Sequence, residues 1–184
     1  MASSFYLPPS GSGGSGGSGG LGGVAGNILV AEERKPSGVS SGTNIVGANI
    51  RKLAEIPVNE IAGASLNNFI GSTHIFAINL PAGKYRARGI AQFHGPDRTQ
   101  LALFDVNHGG SGSYILNGLS SFGRGSAKVS GSVEFYGSFE LAAAGLLELH
   151  HYTQSVSSGN GLGVGVSSPF GYELFSQLVI EAVA

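Results

Sequence analysis

From residue 84 to residue 94 the chain alternates. Tyr85, Ala87, Gly89, Ala91 and Phe93 fall on one side, with Lys84, Arg86, Arg88, Gln92 and His94 on the other. A period of two with one apolar side predicts a β-strand with one wet face. Pro81-Ala82-Gly83 before it and Gly95-Pro96-Asp97-Arg98 after it are turn chemistry. The next run, Leu101, Ala102, Leu103, Phe104 and Val106, is apolar on both sides and suits a strand covered on both faces.

The same reading extends through the chain. Val129, Val133, Phe135, Phe139 and Leu141 share one face, opposite Lys128, Ser130, Ser132, Glu134, Tyr136, Ser138 and Glu140. Further strands are predicted at residues 28–31, bounded by Glu32-Glu33-Arg34-Lys35, and at 48–56, 64–70, 74–80, 113–119, 146–154 and 162–167. The final run, 172–183, places Leu174, Leu178 and Ile180 opposite Phe175, Val179 and Val183. In the 74–80 strand His74 shares a face with Phe76, Ile78 and Leu80. No segment reads as a long amphipathic helix, and Ala142-Ala143-Ala144 is broken by Gly145. Eight to ten short strands joined by Gly, Ser, Asn and Pro turns predict an all-β fold, an antiparallel β-sandwich or jelly roll.

The N-terminal residues follow a different rule. Glycine recurs at 11, 14, 17, 20, 23 and 26. A three-residue glycine period is the collagen pattern, yet no triplet carries the proline that stiffens collagen, so a flexible Gly/Ser tether competes with a triple-stranded stalk. Residues 11–28 would span about 55 Å extended or about 23 Å as a coil. Phe5, Tyr6 and Leu7, followed by Pro8-Pro9, cannot be buried by a free terminus alone. They read as a short docking peptide or as a tail without a role. The expected organisation is therefore an anchoring peptide (1–10), a Gly-rich stalk or linker (11–28) and a jelly-roll head (29–184).

Charge narrows the partners. Of 184 residues only 11% are charged, with ten Lys and Arg against eleven Asp and Glu, less than half the usual share of about 25%. Near-neutrality excludes a nucleic-acid protein, which needs a field of cations. Arg86, Arg88 and Arg98 read as a solvated strand face. A surface this poor in charge is either a neutral one rich in Gly and Ser or, as is expected, one covered in good part by sister subunits. No cysteine is present to form disulfides or thiolate metal sites. The first residues have no basic segment and no long apolar core, and no run approaches a membrane span, so the expectation is a soluble protein made in a cytosol, with no membrane insertion.

Candidate chemistry is sparse. His150-His151 resembles a metal pair, but neighbours on a strand point to opposite faces and cannot chelate together. Asp105-Val106-Asn107-His108-Gly109 starts like a calcium loop, yet Leu116 occupies the position that needs a bidentate glutamate, so it reads as a hairpin turn. The G-x-S-x-G and G-x-G-x-x-G matches inside the glycine run lack a flanking strand and helix. No Ser/His/Asp set or carboxylate pair is placed to converge, so no enzyme, cofactor or metal site is expected. Contact residues are expected at turn tips: Asp97, Arg98, His108, Tyr114 and Phe170.

Several stretches also carry a resemblance. LPAGKYRARGIAQF, DRTQLALFDV, SFELAAAGLLELHHYTQS, LGVGVSSPFG and YELFSQLVIEAV, spread over residues 45–184, resemble the C-terminal domain of bacteriophage tail-fibre and related virion proteins. Those domains are similar to the C1q and tumour-necrosis-factor type of jelly roll, usually trimeric, at the outer ends of fibres. The resemblance implies a homotrimer located on a virion, joined to a tail or capsid protein through its N-terminus and touching a host-surface glycan or receptor through its head. It carries over no catalytic residue. A capsid decoration or head-fibre protein that stabilises the shell, and a non-viral C1q-like lectin or adhesin, remain alternative readings.

Overall fold

A computed structural model describes residues 27–67, 74, 76–122, 129–167 and 169–183. The proposed anchor, Phe5, Tyr6 and Leu7, and the glycine triplets up to residue 26 lie outside the described residues. Among those described there are twelve strands and a single 3-10 turn, His108–Gly110.

The two clearest alternations in the sequence form the longest hairpin-like pair, although they are not consecutive. β6, Gly83–His94, lies antiparallel to β10, Ser130–Leu141, with twelve residues in unbroken register. Tyr85, Ala87, Ala91, Phe93, Val133, Phe135 and Leu141 all point inward and are buried, as the period of two requires. Gly89 sits opposite Phe135, and a methyl group on Gly89 would come within 2.5 Å of that ring. The missing side chain is the space the ring fills.

β6 pairs on its other edge with β12, Tyr172–Val183, which pairs in turn with β1, Ile28–Pro36, and β1 with β3, Glu55–Asn59. These five strands, in the order β10-β6-β12-β1-β3, make one sheet. The second sheet is centred on β11, Gly145–Thr153, and β7, Arg98–Asp105. β8, Ser113–Asn117, and the short β9, Ser121–Phe122, lie on β7. β5, Ile78–Leu80, and β2, Gly47–Ile50, share the far edge of β11, and β4, Ser65–Leu66, lies on β5. Leu101, Leu103, Leu147 and Leu149 from this sheet meet Leu29, Ala31, Leu178 and Ile180 from the other in one core. Each fully buried leucine contributes about 1.5–3 kcal/mol by leaving water.

Several sequence expectations need correction. The charges at 32–35 do not end β1. The strand runs on to Pro36 and keeps its inward period through Leu29, Ala31 and Glu33, so a glutamate enters the core. The single strand predicted at 48–56 is two: β2 belongs to one sheet and β3 to the other, and the chain crosses between them through the buried Arg51 and Leu53. Residues 162–167 form no strand, because their backbone is bonded to the loop at 37–46 instead of to a ladder. In β12 the register against β1 slips at Glu33/Arg34, leaving Phe175 as a bulge residue between the partners of those two. Phe175 and Ser176 are therefore both buried, and Leu174 turns half outward from Leu178 and Ile180. Of the 64–70 prediction only Ser65–Leu66 is strand among the described residues, and His74 and Phe76 lie in turns ahead of β5.

Candidate functional site

Antiparallel pairing gives the sandwich two unlike ends. Ile28 faces Glu181 and Asn27 hydrogen-bonds Ala182, so the first described residues lie at the end where β6 begins and β12 finishes. Pro36 faces Tyr172, and His94 faces Ser130, at the opposite end. That far end is built from the loops at 37–46, 95–97 and 154–171.

Two of these loops are stitched together. Ser37 N–H donates to Gly171 O, Ser41 N–H to Gly163 O, and Leu162 N–H to Gly42 O. Gly165 N–H donates to Ser40 Oγ and Gly159 N–H to Thr43 Oγ1. The Asn44 amide is buried beneath them, donating to Thr153 Oγ1 at 2.7 Å and accepting from Ser157 N–H at 2.7 Å. Gly161 passes so close that a Cβ there would lie 1.8 Å from Asn44 Oδ1.

Below the loops lies a charged pair that local sequence does not reveal. Arg51 Nη2 is 2.9 Å from Glu33 Oε2, with both side chains sealed from solvent. Arg51 also donates to Leu162 O at 2.9 Å and to Phe175 O at 3.1 Å, and Glu33 accepts from Ser41 Oγ and, at 3.0 Å, from Ser176 Oγ. The guanidinium thus ties the crossover segment to β1, β12 and the 154–171 loop. Burial pushes its pKa down, and the Glu33 carboxylate opposes that shift. His151 lies in the same polar layer, bonded through Nε2 to Thr99 Oγ1. Burial, and then the nearby Arg51 charge, push its pKa down to about 3. The imidazole is neutral at physiological pH. A layer of this kind holds the far-end loops in one arrangement by directional bonds that a purely apolar core cannot supply.

On top of this fixed base the loops expose apolar side chains. Phe170 is 81% exposed and Val166 is 73% exposed, and Val39, Ile45, Val46, Val156 and Tyr172 are exposed beside them.

The five residues predicted as contacts do not converge. Asp97, Arg98 and Phe170 are exposed at the far end. His108 is at the end that holds Ile28, on the 3-10 turn after β7, with Nδ1 4.0 Å from the Asp105 carboxylate. Tyr114 is not on a loop tip. It belongs to β8 and stands on the outer face of the second sheet, its ring 5.0 Å from Phe104 and 5.6 Å from His150. His150 and His151 face opposite sides of β11, the first with 11% of its side chain exposed and the second fully buried. The hairpin reading of residues 105–109 also holds, with Asp105 Oδ1 accepting from Asn107 N–H across the turn. Sequence reasoning missed Glu33, Arg51 and the far-end apolar group. The inward period of β1 marked Glu33, while nothing local marks Arg51.

Among solved structures the chain is similar to Eiger, a TNF from S. frugiperda, with a TM-score of 0.53 over 86% of this chain and 94% of that one, at 13% identity. It is similar to murine APRIL with a TM-score of 0.52, covering 84% and 98%, at 11% identity. The fold is that of the TNF-type jelly roll. The globular domain of zebrafish complement 1qA also matches, with a TM-score of 0.47 over 86% of this chain and 98% of that one, at 10% identity. No protein-family model matches this chain, and no curated protein matches it in sequence. At these identities the likeness is one of fold.

Proposed function

We propose that this chain is the head of a short, non-enzymatic, trimeric fibre on a bacteriophage particle, with its far end contacting the host-cell surface. The observation that carries this reading is the two-ended build of the head. The Gly-rich tether enters at one end, and the opposite end presents exposed apolar side chains on loops fixed by a buried charged network. Rigid sandwiches commonly bind through such loops. The resemblance of residues 45–184 to virion fibre heads supports the particle setting. Three-fold assembly is supported by the low overall charge and by Leu119 and Tyr136, which are 88% and 72% exposed at the open side between β8 and β10. Three weak contacts on one trimer gain affinity through effective concentration.

The test uses particles carrying altered chains. Removing residues 1–10 leaves a folded head that no longer joins particles. Val166→Ser with Phe170→Ser leaves incorporation intact and lowers adsorption to host cells at least about tenfold, the loss of roughly 1.4 kcal/mol or more. Unchanged adsorption by the double variant refutes the contact assignment. Unchanged adsorption together with heat-fragile particles assigns the head to shell stabilisation.

A further inference from the structure

The outer face of the second sheet holds a cleft of about 260 Å³ that the far-end contact does not use. Its floor is Ala102, the small residue in a cross-strand row whose neighbours are Asn117 on β8 and His150 on β11. Tyr152, paired with Gln100, closes one end, and Tyr114, paired with Phe104, closes the other. The cleft exists because an alanine sits where every neighbour is large.

Its walls are held before any ligand arrives. The His150 ring stacks on Phe104 at 4.7 Å with 17° between the planes. His150 Nε2–H donates to Glu148 Oε2 at 2.8 Å, and the other carboxylate oxygen meets His74 Nδ1 at 2.6 Å. Burial alone would raise the Glu148 pKa, but the hydrogen bonds from His150 and His74 outweigh it and hold the carboxyl below its ordinary range. With Nε2 committed as a donor, His150 Nδ1 is the acceptor for the Tyr114 hydroxyl, 3.3 Å away. The lone pairs of that hydroxyl remain available. Gln100 Nε2–H donates to Gly118 O at 2.7 Å, which leaves its amide oxygen uncommitted.

The lining selects a ligand class by exclusion. It contains no lysine or arginine, and the adjoining Glu148 is taken up by two imidazoles. A charged ligand would lose hydration there and gain no counter-charge. A wholly apolar ligand would leave the Gln100 amide oxygen, the Asn117 amide and the lone pairs of the Tyr114 hydroxyl to be covered without gaining a hydrogen bond. β7 and β11 are paired on both edges, so a peptide finds no free strand to extend in the floor. What fits is a small ring with a flat C–H face for the tyrosines and a rim of hydroxyls, each both donor and acceptor, for the amides.

We infer that this cleft binds one neutral pyranose ring, with Tyr114 and Tyr152 against its apolar face and Gln100, Asn117 and the Tyr114 hydroxyl at its hydroxyls. This deepens the adhesion reading by naming a glycan class, yet the site stands on its own geometry. The full-length protein is titrated with neutral saccharides (glucose, galactose, N-acetylglucosamine and their disaccharides) and with sialylated and sulfated ones, observed by saturation-transfer NMR. Transfer to at least one neutral pyranose is expected, strongest at the C–H protons of one ring face. Binding weakens at least tenfold in Tyr152→Ala, which removes a wall, and in Ala102→Val, which fills the floor and touches no polar group. Transfer to charged saccharides alone, no transfer at all, or binding unchanged in both variants overturns the inference. Binding that depends on Tyr152 and Ala102 while Tyr152→Ala particles adsorb normally upholds the site and removes its part in adhesion. Failure of all sugars with adsorption still sensitive to Phe170 does the reverse.

Discussion

Acid should loosen this head through His151. The imidazole is wholly buried, and its pKa is pushed down to about 3 by burial and then by Arg51, against an unfolded value of about 6.5. Between those two values the unfolded chain binds a proton that the folded chain refuses. The stability contributed by keeping His151 neutral is therefore complete above about pH 6.5 and drains away as the pH falls toward 3, at about 1.4 kcal/mol per unit. By about pH 5 this one residue has removed about 2 kcal/mol, a large part of the 5–15 kcal/mol that stabilises a typical domain. The measurement is urea unfolding at about pH 7.5 and about pH 5 for the native chain and for His151→Gln, at fixed protein concentration so that subunit association contributes equally. Glutamine keeps a side-chain amide for Thr99 and has no proton to gain. The variant starts from a lower stability, but the loss between the two pH values should be about 2 kcal/mol smaller than in the native chain, because every other titrating group is common to both. Equal losses would refute the reasoning.

Three other outcomes follow from the geometry. Arg51→Met leaves the Glu33 carboxylate buried and unpaired and should cost about 3–5 kcal/mol in chemical unfolding, with part of the loss recovered when Glu33→Gln is added. Gly161→Ala drives a Cβ into Asn44 Oδ1, and breaking the buried bonds of that amide should remove about 2–4 kcal/mol and loosen the 37–46 and 154–171 loops, read as faster amide exchange there than in β6. Light scattering should give a mass of about 56 kDa, three chains of 18.6 kDa, with Leu119→Asp and Tyr136→Asp together shifting it to a single chain.

The legible parts of this fold are those whose cause is local. β6 and β10 announce themselves because each alternate side chain meets the same apolar layer, and β7 by its apolar run, although only Leu101 and Leu103 enter the core and Ala102 lies on the outer face of the sheet, so the expected cover on both faces is not there. The illegible parts depend on partners distant in sequence. A glutamate can continue an inward period only because Arg51, Ser41 and Ser176 surround it, residues that come together only in the folded chain. Residues 162–167 have the composition of a strand, but their donors and acceptors are claimed by a loop more than a hundred positions earlier. Phe175 escapes prediction for a related reason, since a bulge breaks the alternation that sequence reading relies on. The outer cleft was half visible. Tyr114 was expected as a contact residue, though at a turn tip, and only the register of β7 with β8 and β11 brings Ala102, Asn117, His150 and Tyr152 beside it.

β1 runs from the end that holds Ile28 to the far end, hydrogen-bonded to β12 along its whole length and to β3 over its first half. When the head is held by its N-terminus and grips something at its far end, tension enters at Ile28 and acts along this strand. The ladder bonds lie across that direction, so they are strained in shear, all together, and cannot be peeled off singly as in a zipper. Nine residues of paired backbone must slide as a unit before the sheet parts. The strand that carries the buried Glu33 is thus also the head's tensile member, and its pinned glutamate locks the slide from inside.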